Sequence, residues 1–244
     1  MRTIRIHVDV PLASGHDITL PAQAGEHVAR VLRLDVGAPV VLFSGDDGME
    51  YEATLVGVGK REVVASVGNG RIVANESPLA LTLAQGVARG EKMDLIVQKA
   101  TELGIARIVP VLTERSEVKL DAGRAEKRLV HWRAVAASAC EQSGRARVPT
   151  IDPAVPLAAW LASLGGDASP RLALLPEGSK RPGELGLRDT AILAIGPEGG
   201  FGERDRTALA SSGFLGLKLG PRILRTETAG LAAIAALQAL YGDI

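Results

Sequence analysis

The chain has 244 residues, 46% of them hydrophobic and 23% charged, with 28 Lys plus Arg against 28 Asp plus Glu. This is enough chain to bury a core as one or two domains, and its composition points away from both disorder and a membrane-embedded protein. Aromatics at 3% disfavour a binder built on stacking platforms, and zero net charge means that any nucleic-acid partner is met by local basic patches.

The start, "MRTIRIHVDV", alternates charged and apolar residues, so neither a signal peptide nor a membrane anchor is expected. A single cysteine, Cys140, permits no internal disulfide and suits a cytoplasmic protein. From Arg2 to about Arg71, short apolar runs ("RIHVDV", "DITL", "APVVLFSG", "MEYEATLVGV", "EVVASVG") are separated by the turn signals "GDDG" and "GVGKRE" and interrupted by one short helix around "AGEHVARVLRL". Residues 1–72 therefore read as a small β-rich domain. The stretch "GNGRIVANESP" has no strong period and marks the boundary.

Over residues 73–244 strands alternate with helices. "LALTLAQ" reads as a strand, and Met93, Ile96, Val97, Ala100 and Leu103 form one helical face that Gly104 ends. Then come strand "ARIVPVL", a long helix from about Arg124 to Gln142, "VPLAAWLASL", strands "RLALL" and "AILAIG", helix "ERDRTALASS", strand "GLKLG", and a closing helix over Thr226 to Leu240. The alternation predicts an α/β fold, a mostly parallel sheet with helices on both faces, whose ligands bind beyond the carboxyl ends of strands.

Three of those strands run into loops rich in Gly and Pro: "LALLPEGS", "LAIGPEGGFGE" and "LKLGPRILRTETAG". Glycine lets a backbone approach a ligand and proline stiffens the loop, so together they predict one pocket walled largely by main chain; singly, each is a tight turn. The closing helix is apolar on nearly every face, which predicts burial on all sides or contact with a second subunit. No P-loop, dinucleotide fingerprint or nucleophile elbow is present, and His7, His16, His27 and His131 lack metal-ligand spacing, so no metal is expected. Cys140 reads as a packed thiol.

The segments "MDLIVQKATELG", "RIVPVLTERS", "HWRAVAASACEQSGR", "IGPEGGFGE" and "LGPRILRTETA" resemble the bacterial ribosomal RNA small subunit methyltransferase E family of the SPOUT superfamily. "HVARVLRLDVG" and "EYEA" are similar to that family's PUA-like RNA-binding domain. The resemblance implies a C-terminal trefoil knot, S-adenosylmethionine (SAM) bound in a bent shape, and a homodimer. It also implies methylation of uridine N3 in the decoding region of 16S rRNA in the small ribosomal subunit. At "FSGDDGMEY" a shorter aspartate-glycine turn is expected, so that hairpin tip departs from the pattern. A knotted RNA-binding module without catalysis, or a SPOUT enzyme acting at another RNA position, are the alternatives.

With that reaction in view, Arg225 is the first choice to stabilise the imidate charge, oriented by Glu227, because its guanidinium cannot lose its proton. Glu198 and Glu141 are candidate bases, and Thr226 is either a helix N-cap or a contact. Cofactor contacts are expected from Leu175, Pro176, Gly196, Pro197, Gly199, Gly200, Leu219, Gly220, Ile223, Leu224 and Ala229. The N-terminal half carries Arg2, Arg5, Arg30, Arg33, Lys60, Arg61 and Arg71 against a larger number of acids, so its phosphate grip is expected to be local. Arg5, Arg30 and Arg33 are its candidates for RNA, joined by Arg115, Arg145 and Arg147 from the basic run around the long helix, which includes Lys119.

Overall fold

A computed structural model describes residues 4–59, 61–117 and 121–244; Arg2, Lys60 and Lys119 lie outside the described residues. The chain divides into two compact units, one of residues 1–76 with Ala137–Val148, the other of Ser77–Ala136 with Pro149–Ile244. The first unit thus takes in a segment, Ala137–Val148, that lies far along the chain from the β-rich half.

In the first unit, strands β1 (Arg5–His7), β2 (Asp17–Thr19), β3 (Pro39–Phe43), β4 (Met49–Val58) and β5 (Val63–Ile72) form a sheet in the order β1-β3-β4-β5-β2. β1 pairs with β3 in parallel and the other pairs are antiparallel. Alternate residues Val40 and Leu42, Ala53 and Leu55, and Val63, Ala65 and Val67 point into one core with Ile6 and Val28. Each fully buried aliphatic side chain there contributes about 1.5–3 kcal/mol. Helix α1 (Ala22–Glu26) continues as a π-helical turn, His27–Leu32, which Arg33 ends in the left-handed region at φ 52°.

The first part of the stretch without a strong period, "GNGRI", is the end of β5, and the two units part further along it, between Glu76 and Ser77. Gly70 is needed there because a Cβ would lie 2.6 Å from the ring of Tyr51 on β4, so the absence of side-chain period reflects a close approach and not a loop.

In the second unit the elements are β6 (Ala80–Gly86), α2 (Lys92–Glu102), β7 (Arg107–Leu112), the long helix α3 (Ala122–Ser143, whose end from Ala137 belongs to the first unit), β8 (Thr150–Ile151) and β9 (Val155–Pro156). After them come α4 (Leu157–Ser163), β10 (Arg171–Leu174), β11 (Thr190–Ile195), α5 (Glu203–Ser211), β12 (Leu215–Leu217) and α6 (Thr226–Tyr241). The sheet runs β12-β10-β11-β6-β7-β8, with β9 also on β7, and every pairing is parallel.

Strand parity separates two helical layers. Ala84, Val109, Val111, Ile192 and Ala194 pack with Trp160 and Leu161 of α4, Leu209 of α5 and Phe214. The neighbours of opposite parity, Gln85 and Ile195, face Thr226 and Gly230 of α6, which packs on α2. Helices therefore cover both faces. Along α6, burial follows one stripe, Thr226, Ala229, Gly230, Ala233, Ile234, Leu237 and Gln238, while Leu231, Ala232, Ala235 and Ala236 are half-buried and Leu240 is 52% exposed. Enclosure on all sides is not what the single chain provides. None of the described helices is long and apolar enough to cross a membrane.

Candidate active site

Beyond the carboxyl ends of β10, β11 and β12 lies a cavity of about 330 Å³, within the usual range for a small-molecule site. Its walls are the three Gly/Pro loops, Leu174–Pro176, Ile195–Phe201 and Lys218–Leu224, with Thr226 and Ala229 of α6, Arg115 and Arg206. Leu175, Pro176, Gly196, Pro197, Gly199, Gly200, Leu219, Gly220, Ile223, Leu224 and Ala229 all line it, as does Glu198. The loops approach one another backbone to backbone. A Cβ on Gly196 would stand 2.8 Å from the carbonyl carbon of Gly200, and one on Gly86 2.5 Å from Pro197. Gly200 sits at φ 67°, where a side chain is strained.

Two clamps fix this wall. Buried Gln85, at the end of β6, donates its Nε2 to the Thr226 hydroxyl at 3.0 Å, and that hydroxyl donates to the Gly196 carbonyl at 2.6 Å. Thr226 thus ties the GPEGG loop to α6, and the helix N-cap is Arg225, without a side-chain cap. On the other side, the Asp205 carboxylate accepts the amides of Gly202 and Glu114, while the Glu114 carboxylate accepts the Arg204 amide. These acids sit at the amino end of α5, where the helix dipole favours them. The pairing holds the loop from which Arg115 donates to the Gly199 carbonyl at 2.9 Å.

Glu198 lines the cavity but is tethered. Its Oε1 accepts the Arg89 amide and the Lys92 ammonium, each at 3.1 Å. Burial pushes its carboxyl up, yet hydrogen bonds from the Arg89 amide, its own amide and Lys92 outweigh that and hold it below the usual carboxylate range. So held, the Glu198 carboxylate ties its loop to Arg89 and Lys92. Glu141 lies in the first unit, where its carboxylate accepts the His7 amide at 2.9 Å.

Arg225 is exposed and makes no side-chain hydrogen bond or ion pair among the described residues. It stands between Leu224 and Thr226, both on the cavity wall. Its expected partner Glu227 does not orient it: that carboxylate lies 3.9 Å from Lys92, and its Oε2 is buried without a hydrogen bond.

Three of the arginines expected on RNA are engaged inside the first unit. Arg5 pairs with buried Glu50, donates to the Arg145 carbonyl at 3.0 Å and stacks over Phe43 at 4.9 Å. Arg145, 4% exposed, is bidentate on Glu76. Both guanidiniums are thus engaged with carboxylates of the first unit. Arg147 donates to the carbonyls of Asp46 and Asp47, so the longer "GDDG" tip is pinned by a side chain from the segment after α3. Arg30, paired with Glu26, and Arg33 remain exposed. Burial raises the Cys140 thiol to about 12, and its Sγ–H points to the Arg147 carbonyl, as a packed thiol should. Missed from the sequence were Gln85 and the cavity's Lys218, Arg222 and Arg206. A polar residue closing the apolar run "LALTLAQ" was the available sign for Gln85.

A parallel sheet with a glycine-walled cavity at its strand ends is the setting in which α/β proteins hold a nucleotide or cofactor. Residues 75–238 match the family model of an RNA methyltransferase domain, and residues 20–68 match an RNA methyltransferase PUA domain. The chain belongs to the ribosomal RNA small subunit methyltransferase E family. Members so named from Bacillus subtilis and Buchnera aphidicola (strain Sg) are 32% and 30% identical, covering 89% of both chains and 100% and 98% respectively. The family's enzyme from Neisseria gonorrhoeae, solved bound to S-adenosyl methionine, is 36% identical, superposes with a TM-score of 0.92 and covers all of both chains. A Legionella pneumophila structure with bound SAM is 38% identical with a TM-score of 0.96 over the same extent.

Proposed function

We propose that this protein transfers the methyl group of SAM to N3 of a uridine in the decoding region of 16S rRNA in the small ribosomal subunit, in the cytoplasm, as a homodimer with a knotted C-terminal domain. The cavity is the observation that carries the reading. Three strand-end loops present main-chain donors and acceptors beside the apolar walls of Leu175, Ile195, Leu219 and Leu224, the mixture that an adenosine with an amino-acid tail requires. Relatives of similar length and fold hold SAM.

Bound SAM supplies a methyl already activated on a sulfonium. The protein's task is then to position the uridine, exclude water and stabilise charge as the imide proton leaves. Arg225 does the last of these: a permanently charged fork beside the cavity lowers the cost of the imidate. Glu198 is held by Lys92, so the proton passes to solvent and not to a carboxylate. Thr226 and Gln85 act through the wall they tie together.

The outward face of α6, with Leu231, Ala232, Ala235, Ala236 and exposed Leu240, supports the homodimer, since a second copy would cover it. Exposed Arg30 and Arg33, with Arg115 at the cavity, are the RNA contacts of this reading.

The test is transfer of labelled methyl from SAM to small ribosomal subunits lacking the modification, followed by nucleoside mass spectrometry. Labelled 3-methyluridine is expected. A different methylated nucleoside would make the chain a SPOUT enzyme of another specificity, and SAM binding without transfer would leave an RNA-binding module.

A further inference from the structure

Next to the cavity, sharing its wall Lys218–Pro221, is a second groove whose far side is Gly178, Ser179, Arg181 and Pro182. Its charged lining consists of Arg181 and Lys218 and includes no carboxylate. Both side chains are exposed, and among the described residues neither makes a side-chain hydrogen bond or ion pair. Arg206 on the cavity wall differs, being paired with Glu203 and Glu177. Two uncommitted cations lining one groove leave a site whose electrostatic demand is met by an anion from outside.

The backbone segments that carry the two cations are also tied together. Ser179 and Lys180 donate their amides to the Gly216 carbonyl, and Lys218 donates to the Lys180 carbonyl at 2.8 Å. Gly178 lies so close to Leu217 that a Cβ would meet its carbonyl at 2.5 Å. The nearby acid Glu184 does not line the groove and accepts the Arg181 amide at 3.0 Å. On the cavity side of the same ribbon, exposed Arg222 adds a further positive charge.

We infer that this groove holds backbone phosphate of the substrate RNA strand, gripped by Arg181 and Lys218, beside the cavity where the target base is presented. The inference rests on the RNA methyltransferase reading above. Phosphate, and not the carboxylate of the methyl donor, is the anion chosen because Gly178, Ser179, Arg181 and Pro182 line the groove and not the three-loop cavity. Such contacts fix the register of a strand without reading its sequence.

The test is Arg181→Gln, since Arg181 lines the groove and not the cavity. Binding of the full chain to small ribosomal subunits and to a short single-stranded RNA is measured across salt concentrations, with SAM affinity measured in parallel. Expected are an affinity for both lowered about fivefold at low salt and a slope of log K against log[salt] reduced by about 0.7, the value for one phosphate contact on a single strand. Arg181→Lys should keep the wild-type slope. Lys218→Gln should repeat the loss in RNA binding. Wild-type RNA affinity and slope in both glutamine variants would overturn the inference, as would a loss confined to SAM. If the wild-type chain itself failed to bind or methylate ribosomal RNA, the functional reading would fall first, an outcome visible before any variant is made.

Discussion

The arginines of the two units do different work. In the first, half-buried Arg5 and buried Arg145 pair with Glu50 and Glu76, and Arg147 is bound to a hairpin tip. Around the strand-end loops of the second, Arg181, Lys218, Arg222 and Arg225 are exposed and unpaired among the described residues. The same residue type is structural where a carboxylate shares its burial, and available to a ligand where none does. A count of positive charge along the chain does not distinguish the two.

The sharpest break of that contrast is Glu50→Ala, which leaves half-buried Arg5 and exposed Arg71 without the buried carboxylate they share. About 3–5 kcal/mol of stability should be lost, read by denaturant unfolding; a loss within 0.5 kcal/mol (about the spread of surface substitutions) would mean that the pair is not structural. In the second unit, Arg225→Ala should reduce methyl transfer by about 10²–10³-fold with little change in stability, and single-turnover rates that match wild type would remove its role. Gly196→Ala forces a Cβ against the Gly200 backbone and should weaken SAM binding about tenfold, measured by calorimetry, in a chain that still folds.

A smaller effect comes from Glu198→Gln. Because the folded carboxyl lies below its ordinary value, its stabilisation is present above the unfolded value and is lost as pH falls through the folded one. Wild type should exceed the variant by less than about 1 kcal/mol near neutrality, and the two melting curves should converge below about pH 4. Divergence on acidification would reverse the assignment. Smallest is Arg30→Gln, whose exposed i,i+4 pair contributes about 0.3–0.5 kcal/mol to stability, so that its effect is expected mainly in the salt dependence of RNA binding.

Much of the fold was legible because periodicity reports which face is buried. Met93, Ile96, Val97 and Ala100 keep the helical spacing that α2 buries, and strand runs separated by helices yield the parallel sheet. Three Gly/Pro loops after apolar strands predicted one cavity because main-chain approach requires glycine in the sequence itself. Less legible was "GNGRI", whose glycines accommodate Tyr51 from the neighbouring strand, a reason that no local pattern carries. The partners of Arg5, Glu141 and Arg145 were equally illegible, because a sequence lists charges without the groups they meet.

By itself, then, the sequence determined the alternation of elements, the strand-end loops that make the cavity and the family to which those motifs belong, since each depends on residues near one another in the chain. Only the tertiary structure decided which charges are neutralised. Glu50 reaches Arg5 across 45 residues, Glu76 reaches Arg145 across 69, and Gln85 reaches Thr226 across 141. The energy of a buried charge or hydroxyl is set by the group it meets in space, and that partner is known only once the chain has folded.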